Sequence, residues 1–152
     1  MAEHMTLSLR RAGADDLDVL AILFDAYRQF YRQPADLAGA RAFLAERIAR
    51  GESVIFIAEG EDGAPGFTQL YPSFTSAGMA RIFILNDLFV APEARGKGVG
   101  GALLRHAAEF ARGEGAVRLV LSTAVDNHTA QSLYEGEGWE RDEAFFTYRL
   151  AL

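Results

Sequence analysis

The chain of 152 residues contains no cysteine. That excludes a disulfide scaffold, a thiol nucleophile and a thiolate-held zinc or iron–sulfur centre, and it fits a reducing cytoplasm. Long apolar runs are missing too. Those present are short, such as residues 82–85 (IFIL), far below the roughly 18 residues of a membrane span, so no membrane partner is expected. A basic surplus is also absent: Lys and Arg number 15 against 21 Asp and Glu, a net charge of −6. A protein built to grip nucleic acid carries the opposite balance. An acidic chain is compatible with a cationic substrate such as an amine. His4, His106 and His128 lack metal-ligand spacing, and no metal is expected. Met1-Ala-Glu-His-Met5 has no basic stretch leading into an apolar core, so it is not read as a signal peptide. Residues 1–5 are expected to form a flexible terminus, with Met5 a candidate native start.

What remains is an ordinary globular composition, 50% hydrophobic and 24% charged. The length predicts one domain, residues 6–152, able to bury roughly 70% of its unfolded surface. Alternation over residues 6–10 predicts a first strand. Asp15 and Asp16 offer a cap to a helix with Leu17, Leu20, Ala21, Phe24, Tyr27 and Tyr31 at helical spacing. Leu37, Ala40, Leu44, Ala45 and Ile48 make a second helical stripe, beside which Arg41, Arg47 and Arg50 read as a solvated face. Residues 53–58 and 67–71 predict a hairpin, 72–78 a loop and 81–90 a long strand stopped by Pro92. A helix opens at Gly98, with His106 off its apolar stripe and read as solvated. A strand at 117–121, a short helix at 127–134 and an alternating strand at 145–150 follow. The order predicts an α/β domain with a mixed twisted sheet of about six strands flanked by about four helices.

The sharpest feature is Arg95-Gly-Lys-Gly-Val-Gly-Gly101, between a strand and a helix. Glycines allow positive φ and close backbone approach. A helix N-terminus offers unpaired N–H groups and partial positive charge, which suits a phosphate or pyrophosphate. Arg95 and Lys97 add two cations. Gly96, Gly98 and Gly101 fit the dinucleotide spacing, but the acid expected at the end of the next strand is absent, and the first one, Asp126, lies past it.

The loop resembles the acyl-CoA pyrophosphate motif of the GNAT-type N-acetyltransferases, through Arg95-x-x-Gly98-x-Gly100 and its flanks from Leu88-Phe89-Val90 to Val99 and Gly101. The stretch Asn127-x-x-Ala130-x-x-Leu133-Tyr134 with Gly138-Trp139 resembles the family's next helix and the step after it. Within the family, Asn-Asp-Leu-Phe-Val and the tyrosine are most similar to the polyamine (spermidine/spermine-like) and histone/polyamine-acetylating relatives. The resemblance implies acetyl-CoA as co-substrate and a homodimer. It gives the backbone of Leu88 and Val90 to the pantetheine arm, the amides of Gly96 to Gly101 to the pyrophosphate, Asn127 to the pantetheine, and Tyr134 to the sulfur. It places Tyr27 and Tyr31 in the acceptor-binding lid.

The implied reaction is attack of a neutral amine on a thioester. An alkylamine of pKa about 10.4 is only about one part in a thousand neutral at pH 7, a cost of about 4–5 kcal/mol, so the site should remove a proton. Tyr134 is a plausible proton donor to the leaving thiolate. Asn86 and Asp87 interrupt an apolar strand, where a charge is costly unless paired. Simple alternation puts Asn86 on one face with Ile84 and Leu88, and Asp87 on the other with Leu85 and Phe89. The polyamine-type pattern has Glu where Asn86 stands, and an amide is no base. Either Asp87 takes the proton through water, or another acid or solvent does. A structural role for Asp87, bonded to a loop or to Arg81, is equally open. With no cysteine and no Ser-His-Asp arrangement, direct transfer in a ternary complex to a small-molecule amine or a protein lysine is expected; the alternative is a non-catalytic acyl-CoA-binding module.

Overall fold

The computed structural model describes residues 6–152. The terminal pentapeptide, its Met5 start and His4 lie outside the described residues. Contacts divide the chain into two compact units, one ending at Ser122 and the other spanning Thr123–Leu152.

The first unit holds β1 (Ser8–Arg11), α1 (Leu17–Phe30), α2 (Leu37–Ala49), β2 (Val54–Gly60), β3 (Gly63–Thr75), β4 (Ala80–Val90), α3 (Val99–Gly113) and β5 (Leu119–Val120). The strands form a five-stranded sheet in sequence order. Three antiparallel ladders are followed by one parallel ladder, β4 to β5. Helices cover both faces. On one, Leu20, Phe24, Ala40 and Leu44 of α1 and α2 pack with Ile55, Ile57, Phe67 and Phe89. On the other, α3 sets Phe110 and His106 against Phe56, and Phe110 against Phe83. Alternate strand residues serve alternate faces, as period-two geometry requires. Gly66 sits where β3, β4 and α3 converge: a Cβ there would lie 2.6 Å from the Phe89 carbonyl oxygen.

β4 breaks that alternation. Gln69 of β3 pairs with Asp87, yet the next residue, Leu70, pairs with Leu85. Asn86 is therefore the extra residue of a β-bulge, and it is exposed. One inserted residue exchanges the faces of everything beyond it. Leu85 stays on the α3 side opposite Leu70, while Asp87 joins Phe89 on the α1 and α2 side. The simple alternation expected for this strand is thus corrected: Asp87 does not share a face with Leu85, nor Ile84 with Leu88.

Other expectations also shift. β3 continues through Pro72 to Thr75, where a loop was expected. β2 pairs no further than Leu70, so Pro72 sits on a free edge where its missing N–H costs nothing. His106 is half-buried, its ring 4.6 Å from that of Phe56, so it is a packing residue. Arg47 is not solvated: its guanidinium lies over Phe43 and pairs with Glu46 and Glu52. The fifth strand shrinks to two residues.

In the second unit, α4 (His128–Gly136) is capped by Asn127. Gly138, at φ 92°, turns the chain out of the helix, and the Trp139 amide donates to the Tyr134 carbonyl. The strand expected at 145–150 does not form. Its alternation is real, but a strand exists only through a ladder, and Phe146, Tyr148 and Leu150 are 85–91% exposed. The sheet accordingly has five strands where about six were expected. No helix of the described residues is long and apolar enough to cross a membrane.

Candidate active site

The bulge turns Asp87 into a cavity of about 480 Å³ between α1, α2 and β4. Its aromatic walls are Phe24, Tyr27, Tyr31, Phe43 and Tyr71; Arg28, Gln33, Asp36 and Asn86 complete the polar lining beside Asp87. Asp87 is 2% exposed. Its Oδ2 accepts from Gln69 Nε2 and its Oδ1 from Asn86 Nδ2 at 3.0 Å. Arg81 is not its partner; that guanidinium lies over Phe74 and Phe83. Burial pushes the Asp87 carboxyl above the usual carboxylate range, while the Gln69 and Asn86 amides and the Tyr27 hydroxyl oppose the shift by favouring the anion. Burial, and then the Asp87 charge, push the Tyr71 hydroxyl up to about 12 and raise that of Tyr31.

Tyr27 joins packing to the site. Its ring meets Phe24, Phe67 and Phe89, and its hydroxyl donates to the Asn86 carbonyl at 3.1 Å. The bulge frees that carbonyl from the ladder. The structure therefore brings together Tyr27, Tyr31, Asn86 and Asp87. Sequence reasoning missed Gln69, which is fully buried and leaves its Oε1 without a partner. A glutamine beside a threonine inside an apolar strand was the available signal.

The second predicted group is divided between the two units. β5 pairs with β4 only at Phe83 and Ile84, so no strand of the described sheet covers that edge from Leu85 to Val90. The chain then passes Arg95, whose Nε donates to the Val90 carbonyl at 3.0 Å and whose guanidinium lies over Phe89 and Phe30. Gly96 and Gly98 hold φ of 77° and 85°, and Gly98 caps α3 with no side chain over its end. The N–H groups of Val99, Gly100 and Gly101 precede the first intrahelical bond, Ala102 to Gly98. An open strand edge leading to bare amides at a helix start fits a pantetheine arm ending in a pyrophosphate. Lys97 lies between the two left-handed glycines. In the second unit, Asn127 Oδ1 accepts from the Ala130 amide at 3.2 Å, which leaves Nδ2 as a donor. The Tyr134 ring stands 6.2 Å from that of Trp139.

Comparison with known proteins agrees with this geometry. The model of the Acetyltransferase (GNAT) family matches residues 19–139. The uncharacterized N-acetyltransferase YhfO of Bacillus subtilis is 51% identical over 144 residues, 95% of this chain and 97% of its own. A probable acetyltransferase of Haemophilus influenzae is 33% identical, over 96% of this chain and 99% of its own. A crystal structure of a probable acetyltransferase superposes with a TM-score of 0.90 at 44% identity, covering 95% of this chain and 97% of the other. On family match and near full-length relatives alike, the chain belongs to the GNAT family and is an acetyl-CoA-dependent N-acetyltransferase.

Proposed function

We propose that this enzyme acetylates the primary amine of a small molecule seated in the cavity between α1, α2 and β4, with Asp87 as the proton acceptor. The observation that carries the proposal is the Asp87 carboxyl itself: buried, turned into the cavity by the bulge and held by two amide donors. A carboxylate kept only for structure gains nothing from facing an aromatic-walled space. The cavity, about 480 Å³, falls in the range of small-molecule pockets, roughly 300–1,000 Å³, a size that suits a free amine.

Acetyl-CoA is the donor, with its pantetheine along the open edge of β4 and its pyrophosphate on the amides from Gly96 to Gly101. The amine gives up a proton towards Asp87 and attacks the thioester carbonyl. The C–N bond forms, the C–S bond breaks, and the departing thiolate takes a proton, for which Tyr134 is the donor that the motif suggests. Aromatic faces at Tyr27 and Tyr31 favour a cationic amine before it loses its proton.

The test is thiol release from acetyl-CoA against a panel of small amines and lysine peptides. Asp87→Asn should lower kcat/KM by about 10²- to 10⁴-fold near neutral pH, the range of a lost general base. The residual rate should then climb steadily with pH as solvent supplies the neutral amine. Tyr134→Phe should lower kcat. Full activity in Asp87→Asn would remove that residue from the chemistry.

A further inference from the structure

The cavity wall carries a cation that acetyl transfer to a simple amine does not need. Arg28 lies in the last turn of α1, its side chain 25% exposed. Its Nη1 donates to Asp25 Oδ1 at 3.1 Å and to the Pro34 carbonyl at 3.0 Å. Its Nε and Nη2 have no acceptor among the described residues. The anchor is itself secured: Asp25 is 7% exposed and also receives the Asp36 backbone amide at 3.0 Å and Gln29 Nε2 at 3.3 Å. The guanidinium is thus fixed at one corner, and its Nε–Nη2 edge is the geometry that takes a carboxylate through two parallel bonds.

The other charges leave that edge unanswered. Asp36 turns its carboxylate onto the Gly39 amide at 2.9 Å and packs so tightly that a Cβ at Gly39 would lie 2.2 Å from its Oδ2. Its charge serves the start of α2. Asp87 sits on the floor with its own two amide donors. What is left is one proton acceptor, one unfilled guanidinium edge and five aromatic rings. A polycation leaves that edge unfilled, because only an acceptor of hydrogen bonds can occupy it. A zwitterion matches both ends.

We infer that the acceptor is an amine that also bears a carboxylate, an amino acid or a near derivative, with Arg28 binding the carboxylate while Asp87 serves the amine. The inference rests on the proposed function and names the substrate class of that same cavity. In balance, an ammonium and the thioester give an amide, a free thiol and one released proton. The acceptor carboxylate is spectator charge throughout.

The experiment compares amino acids with their decarboxylated amines and with linear polyamines in wild type, Arg28→Gln and Arg28→Lys. Wild type should favour the best amino acid over its decarboxylated amine by at least tenfold in kcat/KM. Arg28→Gln should cut that ratio at least tenfold, mainly through KM for the acid, and Arg28→Lys should restore part of it. A purely structural role at Asp25 and Pro34 would lower both substrates together and leave the ratio fixed, overturning the inference. So would a wild-type enzyme that prefers polyamines or decarboxylated amines, a result that needs no variant. Calorimetric titration of the amino acids into the CoA-bound protein separates the two levels. Binding that Arg28→Gln abolishes, without turnover of any amine, supports the substrate class and defeats the proposed function. No binding and no turnover defeats both.

Discussion

Asp87 sets a testable conflict between chemistry and stability. Its folded pKa is raised by burial, so between the unfolded value near 3.9 and the folded value the native chain holds more protons than the unfolded one. Stability from this group is present at low pH and is lost as pH rises through that window. Asp87→Asn has no such loss. The melting temperature of the variant, measured against wild type, should therefore improve as pH is raised from about 4 to neutrality, even while activity falls. Gln69 tunes the same group from the opposite direction. Its amide favours the anion, so Gln69→Leu should move the acidic limb of the kcat/KM profile to higher pH. A variant that merely loosened the strand would lower the whole profile without moving the limb. Of these residues the sequence displayed the Asn86–Asp87 pair, because two polar residues in IFILNDLFV stand out. Gln69 gave a weaker signal, since Thr68 and Gln69 together blur the strand's alternation without showing that both are buried. The sequence hid Arg28, which at a helix C-terminus passes for a residue complementing the dipole.

At the scale of elements, β4 and the glycine turn do most of the positioning. Helices were legible from their stripes, and α1, α2 and α3 fall within a few residues of their apolar periodicity. The bulge was not legible, since nothing in a two-residue alternation marks where one strand will carry an extra residue against its partner. β3 was read short because proline punctuates most strands, and only the pairing shows that Pro72 lies past the end of β2. The strand at 145–150 was read from a pattern that states which residues share a face, not whether an edge receives them. The loop allows a sharper expectation. Gly98 holds φ 85° at the cap of α3, a conformation that costs an L-residue about 1–2 kcal/mol. Gly98→Ala should lower stability by that order and raise KM for acetyl-CoA, with kcat for a saturating amine much less affected. Equilibrium unfolding and donor titration check the two halves.

For the molecule as a whole, donor binding and folding are linked. Acetyl-CoA at a hundredfold excess over its Kd should add about 2.7 kcal/mol to stability, a rise of about 5–10 °C in Tm for a chain of this size. Thermal melts with and without the donor measure it, and dephosphorylated or pantetheine-only analogues divide the gain between the β4 edge and the glycine turn. The edge has a second consequence, in colloidal rather than catalytic terms. On the side of β4 away from β3, no strand among the described residues pairs with Leu85 to Val90, and an uncovered row of donors and acceptors is a template on which another chain can pair. An acyl donor laid along this row, as proposed, would also act as a guard against self-association. Such an enzyme keeps best in its substrate's company, and starving it of CoA invites precipitation as well as idleness.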